Sequence, residues 1–134
     1  MILVDTSLWI DHLRSGNAVL ADLLDNNAVL AHPWVTGELA LGNLTHRAEI
    51  LALLRRLPQA TLAEHDEVLL LVEQQALSGA GIGYVDAQLL AASRLTPDTK
   101  LWTTDKRLAN IAARLGLEYQ PAEHAEGRRK IASR

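Results

Sequence analysis

The chain has 134 residues, a net charge of −3 and 49% hydrophobic residues, which fits one domain large enough to bury a core. It has no Cys, which excludes a disulfide frame and a thiolate metal site. No signal peptide is expected from Met-Ile-Leu-Val-Asp, which lacks a basic region, and the apolar run Leu69-Leu70-Leu71-Val72 is too short to span a bilayer.

In chain order, Ile2 to Val4 read as a short buried strand. Thr6 or Ser7 can cap a helix through Arg14, ended by Ser15-Gly16, and Asn17 can cap a second helix to Asp25. Asn26-Asn27 turn the chain into a strand at Ala28-Val29-Leu30. Pro33 suits a helix's first turn, and that helix runs to about Leu44. Thr45 can cap the next, through Leu57, where Pro58 stops it. Ala60-Thr61-Leu62 read as a third strand and Glu64 to Leu77 as a helix. Gly79, Gly81 and Gly83 make a flexible joint before a helix from Tyr84 to Leu95. Leu101 to Thr103 read as a strand, Asp105 to Leu115 as a helix closed by Gly116, and Glu118-Tyr119 as an edge strand. One domain is expected over residues 1–121, with a polar, mobile tail at 122–134.

Strands alternating with helices predict an α/β fold with a parallel sheet wrapped by helices. In open sheets of this kind ligands bind outside the carboxyl ends of the strands. Asp5 and Asp105 fall at two such ends. Glu38 and Asp86 lie inside predicted helices. At helical spacing Asp86 shares its face with Ile82, Leu89, Leu90 and Ser93, and Glu38 with Trp34, Val35, Leu41 and Gly42. Carboxylates on apolar faces are costly without a partner. Two of them about 4 Å apart repel by roughly 4 kcal/mol at an effective dielectric near 20. Four gathered at one edge therefore call for a cation, and all-oxygen ligands select Mg²⁺ or Mn²⁺. Taken singly, each acid also fits a solvated charge or a helix cap.

Basic residues cluster at Arg47, Arg55-Arg56, Lys106-Arg107 and Arg128-Arg129-Lys130. Most read as a solvated face; Lys106 and Arg107 stand apart because they follow Asp105 directly. The five His residues have no ligand spacing and read as surface or partly buried, not as a zinc site. Asp11 reads as solvated. There is no phosphate-binding Gly-x-x-x-x-Gly-Lys loop.

Four stretches, in order, resemble a known family: Val4-Asp5-Thr6-Ser7-Leu8-Trp9-Ile10-Asp11-His12-Leu13, Gly37-Glu38-Leu39-Ala40, Gly83-Tyr84-Val85-Asp86-Ala87-Gln88-Leu89-Leu90 and Leu101-Trp102-Thr103-Thr104-Asp105-Lys106-Arg107-Leu108. The chain is similar to PIN-domain ribonucleases, specifically VapC-type toxins of bacterial toxin–antitoxin pairs. The resemblance implies a three-layer fold, a short parallel sheet flanked by helices. It implies a catalytic set of Asp5, Glu38, Asp86 and Asp105 with Thr103. Asp5, Asp86 and Asp105 are then the expected metal ligands, and Thr6 and Thr103 would hold carboxylates by hydrogen bonds.

The implied activity is metal-dependent hydrolysis of structured RNA, a tRNA or rRNA, with Lys106 and Arg107 on its phosphates. The implied partners are a VapB-type antitoxin and a second copy in a homodimer, in the cytoplasm and off the membrane. Trp9, Leu13, Leu20, Leu23, Leu24 and Trp34 are more apolar mass than a thin sheet's flank needs, and are expected to form the antitoxin's groove. A phospho-receiver domain would want paired acids near the first strand, and a haloacid-type phosphatase Asp-x-Asp where this chain has Asp5-Thr6-Ser7. A phospho-receiver domain and a catalytically inactive acidic-pocket binding domain stay as the alternatives, although inactive domains of this kind usually lack part of the quartet.

Overall fold

The computed structural model describes residues 1–121; the tail expected to be mobile, 122–134, lies outside the described residues. Three short strands, β1 (Ile2–Val4), β2 (Val29–Leu30) and β3 (Lys100–Trp102), form a parallel sheet in the order β2-β1-β3. Ile2 faces Val29, and Val4 faces Trp102. All of β1 is buried, as expected for an apolar central strand in a parallel sheet covered by helices.

Among the described residues there are seven helices: α1 (Thr6–Ser15), α2 (Ala18–Asp25), α3 (Pro33–Ala40), α4 (Arg47–Arg56), α5 (His65–Gln74), α6 (Tyr84–Leu95) and α7 (Lys106–Arg114). The expected α/β architecture, a short parallel sheet flanked by helices, is therefore present. Residues Ala87 to Ser93 of α6 are all buried, so this helix is the spine of the core. It packs with β3 and α5, and Leu3, Leu89, Leu90, Leu101 and Leu108 are wholly excluded from water.

Several boundaries differ from expectation, each for a local reason. Asp5, not Thr6 or Ser7, is the N-cap of α1; its carboxylate accepts from the Thr6 N–H at 2.7 Å. Helix α3 ends at Ala40 rather than near Leu44, and its last turn closes through Leu41. Thr45 does not cap α4. His46 does so from the left-handed region, φ 56°, without a side-chain bond. The expected strand at 60–62 shrinks to one bridge, between Ala31 and Gln59. Pro58 lacks an N–H, yet its carbonyl still accepts from Ala31 N at 2.8 Å, and Ala60 N donates to Ala31 O at 2.8 Å. The pairing at Glu118 is likewise a single bridge, to Leu101.

Candidate active site at the carboxyl edge of the sheet

Parallel pairing sets β1 and β3 side by side with Val4 opposite Trp102. The chain leaves both strands at the same edge, and Asp5 N donates to Trp102 O at 3.0 Å. Asp5 and Asp105 each begin a helix there. Asp105 caps α7 by accepting from Leu108 N at 3.0 Å. The capping role and the site position coincide in both residues: an N-cap oxygen satisfies a helix donor, and a strand-to-helix turn at a sheet edge points it outward.

A chain of hydroxyls holds Asp5. Thr103 Oγ1 donates to Asp5 Oδ2 at 2.7 Å, and accepts from Asp105 N at 3.1 Å. Ser7 Oγ reaches the same Oδ2 at 3.4 Å, and Thr104 Oγ1 donates to Ser7 Oγ at 3.0 Å. Thr6 Oγ1 donates to Glu38 Oε1 at 2.7 Å, which ties α1 to α3. Ser7 was read from the sequence only as a possible helix cap, and Thr104 was not picked out. The signal available was two adjacent hydroxyl pairs, Thr6-Ser7 and Thr103-Thr104, each beside one of the acids.

Asp86 lies in the first turn of α6, where its Oδ2 accepts from Gly83 N at 3.1 Å. Burial raises its carboxyl above the ordinary carboxylate range. The Gly83 N–H opposes that, and the charges of Asp5, Asp105 and Glu38 push it further up. All three other acids therefore lie within range of charge interaction with Asp86. Asp5 is buried and Asp86 half-buried, while Glu38 and Asp105 are exposed.

The exposure of Glu38 corrects the expected apolar stripe. Helix α3 buries Val35 and Leu39. Trp34 and Glu38 are each one residue earlier, and one residue is about 100° around the helix. The apolar neighbours counted beside Glu38, Trp34 and Leu41, are themselves exposed. For Asp86 the stripe is real, with Leu89, Leu90 and Ser93 buried.

Among the described residues, no three carboxylate or imidazole groups close into a metal cage. Each of the four carboxylates is instead turned onto a hydroxyl or N–H donor of the chain. Such a donor set, all oxygen and all negative, fits a hard divalent cation that keeps several of its own waters, as Mg²⁺ does.

Lys106 and Arg107 are exposed in the first turn of α7. Arg107 lies across Gly81, where a Cβ would come within 2.6 Å of Nη1 and 2.9 Å of Cδ. The left-handed φ of +83° at Gly81 favours glycine there.

The expected antitoxin groove needs correction. Trp9 and Leu20 are 1% and 0% exposed and belong to the core. Strands of two or three residues supply little apolar surface, so the helices must fill the interior with their own side chains. Leu13, Leu23 and Leu24 are half-buried, the latter two packed on the core. Trp34 is 39% exposed, but its ring rests on Tyr84, with centroids 5.6 Å apart. His32, expected at or near the surface, is fully buried. It caps α3 through Nδ1, which accepts from Trp34 N at 3.1 Å, and burial lowers its pKa to about 4.

Comparison with known proteins gives two findings. The family described as PIN domain matches residues 2–114. Ribonuclease VapC32 of Mycobacterium tuberculosis, from strains CDC 1551 / Oshkosh and ATCC 25618 / H37Rv, is 48% identical over 117 residues, which cover 87% of this chain and 94% of that protein.

Proposed function

Because the chain belongs to the PIN-domain family, among its VapC-type members, we propose that it is a toxin endoribonuclease that hydrolyses RNA phosphodiester bonds with Mg²⁺ or Mn²⁺ and is restrained by a cognate VapB-type antitoxin. The observation that carries this reading is the hydrogen-bonded set of acids at one sheet edge: Thr103 bonds Asp5 Oδ2 and Asp105 N, and Thr6 beside Asp5 bonds Glu38, and the charges of all three push up the Asp86 carboxyl. Repulsion among four carboxylates is relieved by a cation. Asp5, Asp86 and Asp105 are the residues that would hold it. When bound, such an ion polarises a phosphate and lowers the pKa of a water.

The chain's own groups supply the rest. Thr103 and Ser7 fix the Asp5 carboxylate, which keeps one oxygen from rotating away. Thr6 occupies Glu38 Oε1, leaving Oε2 to accept a proton from an attacking water. Lys106 and Arg107 follow Asp105 and meet the phosphates flanking the cut. A folded tRNA or rRNA is the expected substrate, since specific RNA readers engage exposed loops.

We assign residues 1–121 to one domain and place the protein in the cytoplasm with its RNA. No helix among the described residues is long and apolar enough to cross a membrane. Exposed Leu69 and Leu70 on α5 and Leu95 on α6 support self-association as a homodimer. The antitoxin is given the flank of Leu13, Leu23 and Leu24, where a helix would lie in a groove and send a basic side chain to the acids.

Purified protein incubated with total RNA, followed by sequencing of the new ends, tests the activity. Discrete cuts in Mg²⁺ that vanish in EDTA are expected. Equal cutting in EDTA, or none with either ion, overturns the reading.

A further inference from the structure

Beside the acids lies a second feature that the hydrolytic chemistry does not use. Trp34, Leu62, Ala63, His65, Tyr84 and Gln88 line an open cavity of about 430 Å³. Its walls are exposed: Trp34, Leu62, His65 and Tyr84 all face solvent. Its floor is closed by Ala63 and Gln88, both buried. The Trp34 and Tyr84 rings lie 5.6 Å apart and tilted by 50°, and His65 lies 5.4 Å from Tyr84 on another side.

Tyr84 and His65 are held by hydrogen bonds. Gln88 Nε2 donates to the Tyr84 hydroxyl at 3.0 Å, and that hydroxyl pairs with His65 Nδ1 at 2.6 Å.

Helix α3 links the cavity to the candidate site. Trp34, on the cavity wall, precedes Glu38 by four residues on one face of α3. Four residues of helix rise about 6 Å. A strand whose phosphate lies at the acids therefore presents a neighbouring base to the two rings.

We propose that this cavity holds an unstacked nucleobase of single-stranded RNA next to the scissile phosphate. Trp34 and Tyr84 provide the stacking faces. Stacking of this kind accepts any base, since every base has a π-face. This rests on the nuclease reading above and adds a base-binding site to it. Aromatic platforms bind bases through their π-faces, while phosphates bind charge. Base recognition at Trp34 is thus separable from phosphate binding at the acids and Lys106.

The test is binding of phosphorothioate-linked, single-stranded ribonucleotide hexamers in Mg²⁺, read by tryptophan fluorescence and anisotropy. Trp9 and Trp102 are buried, so quenching reports on Trp34. Four probes are used: A, C and U hexamers, and an abasic hexamer with the same phosphates. The A, C and U hexamers are all expected to quench and to bind roughly ten- to hundredfold more tightly than the abasic chain. Trp34→Leu and Tyr84→Leu should remove that advantage, and Trp34→Phe should restore most of it.

Equal affinity of the unaltered protein for base-bearing and abasic hexamers overturns the proposal. So does unchanged binding by Trp34→Leu, or a Trp34→Leu protein whose only change is loss of self-association in sedimentation, which would give the cavity to a second copy. RNA cleavage by the unaltered protein is scored separately. Base-dependent binding without any cleavage retains the cavity and removes the nuclease reading; cleavage without base-dependent binding does the reverse.

Discussion

The Thr103 hydroxyl donates to the Asp5 carboxylate at 2.7 Å across 98 residues of sequence. The bond joins the ends of β1 and β3, and the same oxygen accepts from Asp105 N. One hydroxyl therefore orients two of the four acids. Thr103→Val keeps the shape and removes both bonds. Groups that orient ligands in this way are worth about 10–100-fold in metal affinity or activity. The expected outcome is RNA cleavage that needs more Mg²⁺ for half-maximal rate, measured by metal titration. An unchanged Mg²⁺ requirement would show that Asp5 is held without it.

Asp5→Asn and Asp86→Asn should each lower the cleavage rate by at least about a hundredfold, several kcal/mol of transition-state stabilisation. Stability should move the opposite way for Asp86. Its carboxyl is raised by burial first and by the other acids as well, so its charged form destabilises the fold. The stability that goes with a raised carboxyl is present below the unfolded pKa and lost as pH rises through the folded one. At neutral pH Asp86→Asn should therefore melt at a higher temperature than the unaltered protein, as scanning calorimetry would show.

Mg²⁺ should raise the melting temperature of the unaltered protein by binding the native state alone. The rise should be smaller in Asp5→Asn and Asp86→Asn. A Mg²⁺-insensitive melting curve at millimolar ion would count against a cation among these acids.

His32 carries a pH dependence of its own. Its folded pKa is lowered to about 4 from 6.5 by burial. The unfolded chain takes up a proton first as pH falls, so stability is present above 6.5 and lost between 6.5 and 4. The loss from pH 7 to pH 5 is at most about 2 kcal/mol. His32→Asn, which keeps a capping oxygen, should flatten that slope in denaturant titrations at the two pH values.

Trp9 and Leu13 separate core from surface on one helix. Trp9→Ala should cost about 3–5 kcal/mol of stability. Leu13→Asp, at a half-buried site, should leave the fold largely intact and weaken antitoxin binding, measured by titration calorimetry. Normal binding by Leu13→Asp would move the antitoxin to another face.

Local chemistry made much of this protein legible in its sequence. Tyr84–Leu95 has the length and ends of a helix, Asn17 the oxygen that caps one, and Ile2–Val4 the continuous apolar run of a buried parallel strand. Asp5 and Asp105 were readable as neighbours at one sheet edge because each follows a strand of the same parallel sheet. Tertiary structure decided the rest. Trp9 and Trp34 look alike along the chain, yet one is core and the other lines an open cavity, because burial depends on which helix packs against which face. Glu38 is solvent-facing because Val35 and Leu39 took the interior, a rotation that periodicity over eight residues does not resolve. The bonds from Thr103 to Asp5 and from Gln88 through Tyr84 to His65 depend on strand register and helix placement. Propensity is local, but these contacts exist only once the sheet has set distant segments side by side.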